Sequence, residues 1–313
     1  MFSTPFQFSY LSAALTLLCI TVIAPAQTLA QPVVPGTGQL VPQAVDDFED
    51  ANWAYMYNAP KSSNENDKQT RGPTGMSRNG KFFEPALRGQ PDYIQRVETP
   101  PGGLPGSTGA MMIATRDSGV PGRPSRNNQQ DDLIARMGGA ISVSRSPSVV
   151  VRVYLPPFDE WQPKTGNSFG FRASCFGRRP PNVPRKRGSP ASDTYWPGFF
   201  IHFTSKSDRR TPQDYAQFLI RSDQRGADFW GPRVETPGWW TLGMSFTPDG
   251  QVHYYAKAGV EDLTAQDYLA SHYCYGFRCQ RLETYFFDVI SPDDGKTWST
   301  KWIVDDPMVF VAR

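Results

Sequence analysis

Charge of neither sign dominates this chain: among 313 residues, 32 Lys and Arg stand against 30 Asp and Glu, for a net charge of +2. That balance excludes the general basic character of a nucleic-acid binder, and no nucleic-acid partner is expected. Histidine is scarce, with three residues, and cysteine supplies four. Beyond the N-terminus no apolar run approaches the roughly 18 residues that a spanning helix needs, which excludes a membrane span in the mature chain. No internal repeat recurs at the 20–50 residue period of solenoids and propellers. Long helices are also excluded, because 27 Gly and 29 Pro punctuate the chain throughout. What remains is a chain with 39% hydrophobic and 13% aromatic residues, enough to bury a sizeable core.

Lys, Arg, Asp and Glu are all missing before Asp46. In their place, residues 11–24 form an apolar run followed by two small-residue patterns, Ala24-Pro25-Ala26 and Thr28-Leu29-Ala30. This arrangement predicts a signal peptide over residues 1–30, cut after Ala26 or Ala30, and a secreted, periplasmic or cell-envelope location. Residues 31–45 are Pro/Gly-rich and uncharged and read as a tether. Residues 46–313 read as one domain. Cleavage removes Cys19 and leaves Cys175, Cys274 and Cys279. An odd number in an oxidising compartment implies one disulfide and one free thiol. Cys274 and Cys279 could close a small loop, and Cys175 could pair with either. His272, Cys274 and Cys279 lack a fourth ligand for a zinc site.

Apolar residues alternate with polar ones over residues 93–98, 110–115, 148–155, 168–175, 199–204, 217–222, 239–247, 252–258, 284–290, 302–304 and 308–311. Period-2 alternation is the mark of strands packed on one face, so the fold class is all-β, an antiparallel sandwich. One short helix is predicted over Ala265–Ser271. Thr264 and Asp267 have the spacing of a capping box, and Leu263 and Tyr268 that of a hydrophobic staple. Three long polar loops, residues 58–90, 117–138 and 177–194, are of a size usually kept for function.

Three segments resemble concanavalin A-like lectins and glucanases. They are Val45-Asp46-Asp47-Phe48-Glu49 with Trp53, then Gly238-Trp239-Trp240-Thr241-Leu242 leading to Asp249-Gly250-Gln251-Val252-His253-Tyr254-Tyr255, and the closing residues 302–311. The resemblance implies a jelly roll, like that of carbohydrate-binding modules, whose last strand lies beside its first. Residues 291–298 also resemble an Asp-box, which implies a hairpin turn with Asp293 on the turn amides, Gly295 at positive φ and Trp298 as cover. The Glu-x-Asp-x-Glu strand of the retaining glucanases is missing, which argues against hydrolysis by a carboxylate pair. Tyr255-Ala256-Lys257-Ala258-Gly259-Val260 and Ile201-His202 are similar to strands of jelly-roll alginate lyases. Ala256 is inserted, Phe200 replaces the family's Gln, and its Arg-Ser-Glu-Leu-Arg strand is missing.

The alternation leaves Arg152 and Tyr154, Arg172, His202, Gln217 and Arg221, Trp239, and His253, Tyr255 and Lys257 opposite the apolar sides of their strands. If the strands share a sheet, one face gathers cations, amides and aromatic rings with almost no acid. Such a face suits an anionic sugar, although the wet face of any antiparallel sheet carries similar residues. The candidate ligand-binding residues are Arg172, Arg221, Trp239, His253, Tyr255 and Lys257, with Arg185, Lys186 and Arg187 from a basic loop. The expected function is export followed by binding of an anionic polysaccharide. A second reading is a lyase that β-eliminates a uronate polymer, with Arg152, Arg172, His202, Gln217, His253, Tyr255 and Lys257 as its kit. A third is a structural protein of the cell envelope. No cofactor is called for beyond a structural Ca²⁺ between Asp47, Glu49, Asp305 and Asp306, which the pairing of first and last strands would bring together.

Overall fold

The computed structural model describes Met1 and residues 31–119, 122–123, 127–181, 190–208, 211–292 and 294–312. Residues 2–30, Asp293 and the basic-loop candidates Arg185, Lys186 and Arg187 lie outside the described residues.

The strands follow the alternation. In chain order the first nine are β1 (Gln39–Leu40), β2 (Tyr55–Met56), β3 (Met76–Ser77), β4 (Phe82–Phe83), β5 (Tyr93–Glu98), β6 (Gly109–Ala114), β7 (Asn128–Ala135), β8 (Ile141–Ser142) and β9 (Ser148–Leu155). Then come β10 (Ser168–Arg178), β11 (Ser192–Tyr195), β12 (Gly198–Thr204), β13 (Tyr215–Arg221), β14 (Phe229–Val234) and β15 (Gly238–Phe246). The last four are β16 (Val252–Ala258), β17 (Tyr268–His272), β18 (Arg278–Pro292) and β19 (Trp302–Val311). Among the described residues the only α-helix is a single turn, α1 (Asn64–Asp67).

Two antiparallel sheets face each other. The first has the order β17-β16-β15-β9-β19-β6-β5, with β1 also on β19. The second runs β14-β13-β12-β10-β18-β7-β4-β3-β2, with β11 on β10 and β8 on β18. Val149, Val151, Val153 and Leu155 of β9 meet Phe169, Phe171 and Ala173 of β10 in one core. Aromatic rings fill its centre. Trp302 stands 4.8 Å from Trp161, edge to face, and 5.6 Å from Phe169. Burying each such ring contributes about 1.5–3 kcal/mol, so the sandwich is held from between its sheets. Among the described residues no helix is long and apolar enough to cross a membrane.

Several expectations change on contact with the structure. The helix expected over Ala265–Ser271 is a 3-10 turn, Ala265–Asp267, that runs directly into strand β17. Its capping box between Thr264 and Asp267 does form. Residues 302–304 and 308–311 belong to one strand, interrupted by a bulge between Asp305 and Met308 where Asp306 takes φ 44°. The neighbour of the last strand at its far end is Gln39–Leu40, not Asp46–Glu49. The tether residues are laid along the first sheet: Val34 packs on Val150, Tyr255 and Leu263. Cys175, Cys274 and Cys279 are all buried free thiols, so the Cys274–Cys279 disulfide is not formed. Cys274 Sγ lies 3.0 Å from the Tyr254 hydroxyl instead. In the 291–298 turn, Asp294 accepts from the amides of Lys296 and Thr297, at 2.9 and 2.7 Å. Trp298 does not bury itself over that turn; it is 42% exposed, with the Arg116 guanidinium 5.4 Å from its ring.

Candidate functional site

Which sheet a strand joins decides where its outward side chains go. β9, β15 and β16 belong to the first sheet, so Arg152, Trp239, His253, Tyr255 and Lys257 stand on its outer face. β10, β12 and β13 belong to the second, so Arg172, His202, Gln217 and Arg221 stand on the opposite side of the molecule. The single polar face expected from alternation is therefore two faces separated by the core.

The first of these faces is largely closed. Arg152 is 3% exposed and bonded to Asp262 at 2.9 Å. Trp239, His253 and Tyr255 are buried: Val34 of the 31–45 segment packs on Tyr255, and the Trp239 indole donates to the Pro100 carbonyl at 3.3 Å. His253 is enclosed by hydrogen bonds, with Nε2 at 2.7 Å from Thr247 Oγ1 and Nδ1 at 2.5 Å from Ser271 Oγ. Burial pushes its imidazole down to about 4 and the Tyr255 phenol up to about 12. Lys257 keeps partial exposure, its Nζ 3.3 Å from the Asp262 carbonyl. These residues hold a wall in place.

The second face is open toward its β14 edge. At its centre Arg172 is 3% exposed. It bonds Asp288 at 3.3 Å and the Trp196 carbonyl at 3.0 Å, with its guanidinium 5.1 Å from the Phe286 ring. Asp132 lies beside Asp288. The face thus has acid at its middle, against expectation, and Arg172 is committed to that acid.

Toward the edge the side chains become accessible. Ala216, Phe218 and Ile220 of β13 point into the core, which turns Tyr215, Gln217 and Arg221 outward. His202 lies opposite Gln217 on one side, and Arg233 lies opposite Gln217 on the other. Trp230, 55% exposed, meets the His202 ring at 5.2 Å. The Arg233 guanidinium stands 4.4 Å over Tyr215. Burial lowers the pKa of His202, which keeps it neutral near neutral pH. Arg221 bonds the Tyr275 hydroxyl at 2.6 Å. One row across three strands therefore presents an indole, an imidazole, an amide and a guanidinium. It can stack on a ring, bond hydroxyls and pair with an anion.

Of the sequence candidates, only His202, Gln217 and Arg221 meet on this accessible face. Tyr215, Trp230, Arg233 and Asp288 were not anticipated. Alternation could have found two of them, since Tyr215 is two residues before Gln217 and Asp288 falls between Phe287 and Val289. Trp230 and Arg233 gave no such signal, because Pro232 and a register shift break the pattern of the edge strand.

Asp47, Glu49, Asp305 and Asp306 do approach one another, and Glu49 and Asp305 already accept hydrogen bonds from the protein. Thr108 and Gly109 donate to Glu49, and Ser107 and the Asp306 amide donate to Asp305. Among the described residues no three His, Cys, Asp or Glu side chains form a set that could hold a metal ion.

No protein-family model matches this chain. No curated protein matches it either. Solved structures similar in shape include an alginate lyase from Pseudomonas aeruginosa, 11% identical at TM-score 0.37, covering 72% of this chain and 85% of that one. Peanut lectin is 10% identical at TM-score 0.36, covering 84% and 100%. An endo-β-1,4-glucuronan lyase from the fungus Trichoderma reesei is 12% identical at TM-score 0.34, covering 73% and 94%. These are likenesses of general shape, and the functional reading rests on this chain's own residues.

Proposed function

We propose that the protein is exported and binds an anionic polysaccharide on the outer face of the second sheet. The observation that carries this reading is the accessible row Trp230, His202, Gln217 and Arg233 across β12, β13 and β14. A pyranose ring has a C–H face that packs on an indole, and Trp230 offers one at the sheet edge. Arg233 has no carboxylate partner among the described residues. Its charge is available to a sugar carboxylate or sulfate, which a guanidinium can hold through two parallel bonds. The leader over residues 1–30 and the basic residues Arg185, Lys186 and Arg187 belong to the same reading. Export sets the chain among extracellular glycans, and a basic loop attracts polyanions over a distance.

Trp230→Ala is expected to weaken binding to a sulfated or uronate polymer about tenfold at all salt concentrations, because stacking is not screened. Arg233→Ala is expected to weaken it at low salt and to matter little at high salt. Affinity measured across a salt series checks both. Salt-insensitive binding to a neutral glucan would contradict the anionic ligand, and indifference to both substitutions would contradict the site.

A second reading, lyase chemistry, is favoured by one observation: neutral His202 and the Tyr215 phenol flank Gln217 and Arg233. In that scheme Arg233 and Gln217 neutralise the uronate carboxylate. His202 takes the proton from the adjacent ring carbon, the C–O bond to the leaving sugar breaks as C=C forms, and Tyr215 protonates the departing oxygen. Ultraviolet absorbance of the unsaturated product, after incubation with alginate or pectate, tests it. No signal from either polymer leaves binding alone.

A further inference from the structure

A cleft of about 740 Å³ opens at one end of the sandwich, away from the Trp230 row. One side is the 178–181 segment that continues β10. Another is the start of β18, and the hairpin turn at Pro248 and Asp249 closes a third. The turn belongs to the first sheet but reaches across to the second: the Cys279 amide donates to the Gly250 carbonyl at 3.0 Å. The cleft is therefore built where the two sheets are tied together, on a rigid base.

Its lining is cationic. Arg178, Arg179 and Arg278 all border it. Arg178 and Arg278 are directly opposite each other on β10 and β18. Like charges directly opposite on a sheet repel, and a fold tolerates such a pair best when an anion lies between them. Among the described residues none of the three arginines has a carboxylate partner. Aromatic rings hold two of them instead: Arg179 lies 4.4 Å over Phe277, and Arg278 lies 5.4 Å over Tyr273. The Nε of Arg179 is buried without any hydrogen-bond partner. The one acid in the cleft, Asp249, is spent on its own turn. It accepts from Thr247 at 2.6 Å and from the Gln251 amide and side chain at 3.2 and 3.1 Å. Cations are gathered, oriented by stacking and left unneutralised.

We infer that this cleft is an oxyanion site, taking a sulfate or carboxylate group carried on a sugar. Planar guanidiniums match both groups, and three of them around one cleft favour a ligand with more than one charge. The oxyanion site goes beyond the sheet-face reading, and only the sugar that carries the group rests on that reading. Ser168, beside His202, and Arg178 lie at the two ends of an 11-residue strand, about 33 Å apart at the rise of a β-strand. A disaccharide cannot bridge that length, whereas a polymer can.

The test uses the full mature chain and two short probes, sucrose octasulfate and a saturated trigalacturonate, each titrated by calorimetry at low and high salt. Binding of octasulfate alone identifies the group as sulfate, and binding of both identifies it as any oxyanion; either supports the site. Arg178→Ala/Arg278→Ala is expected to weaken that binding about tenfold or more at low salt, while Lys257→Ala, which removes a cation from the opposite wall, leaves it unchanged. Both arginines are exposed, so the double variant is expected to melt as the native chain does. Arg278→Gln, which keeps the stem, gives an intermediate loss. Native-like affinity in the double variant, or no binding of either probe to the native chain, overturns the site. Loss of probe binding in Trp230→Ala but not in the double variant would move the oxyanion to the sheet face and equally overturn it.

Discussion

Arg172 and His253 look alike in sequence, each a polar side chain alternating with core residues, yet they end on opposite faces and neither reaches solvent. Alternation tells inside from outside. It does not tell exposed from covered, because the covering groups come from other segments of the chain: the Trp196 carbonyl over Arg172, and Ser271 and Thr247 around His253. The same scale holds a pH-sensitive group at the β19 bulge. Burial first, and then the neighbouring Asp306, push the Asp305 carboxyl up to about 7 from an ordinary 3.8. Between those values the folded chain keeps a proton that the unfolded chain has lost. This group's contribution to stability is therefore complete below the unfolded value and falls as pH rises through 7. Denaturant melts from pH 4 to 8 are expected to show that decline in the native chain and a flatter profile in Asp305→Asn. Equal slopes in the two would contradict it.

At the scale of the element, the strands were legible and their company was not. The ranges 93–98 and 148–155 read from alternation coincide with β5 and β9. The failure at residues 265–271 has a clear cause. The capping box is real, but it starts only a 3-10 turn, and pairing of Tyr268–His272 with β16 overrides the local helix signal. The 31–45 segment carries no strand-like run in its sequence, yet Gln39–Leu40 adds to β19 and Pro35 lies against the first sheet at Gly243. A Cβ at Gly243 would come within 2.5 Å of Leu263 Cδ1 and 2.7 Å of Pro35 Cβ. Gly243→Ala is thus expected to lift both covering segments and to cost about 1–3 kcal/mol in a denaturant melt. It should also raise amide exchange at residues 39–40. A native-like melt with unchanged exchange would mean that the segment is not packed there.

For the molecule as a whole, the sandwich was legible because ten or so alternating segments with many turns have few other ways to bury one side each. The candidate site was only partly legible. His202, Gln217 and Arg221 were marked by alternation, whereas assigning their strands to one sheet and those of His253 and Tyr255 to the other depends on long-range pairing that no local pattern encodes. The consequence is a molecule with one wall closed by its own loops and the 31–45 segment and one face left open, with an arginine cleft at its end. The central claim is that an anionic polymer binds on that open side. Hydrogen exchange of the protein with and without a sulfated polysaccharide tests it most directly. Slowed exchange is expected in β12, β13 and β14 around His202, Gln217 and Arg233, with β9, β15 and β16 unchanged. Slowing confined to the first sheet, or no slowing anywhere at saturating polymer, would contradict it.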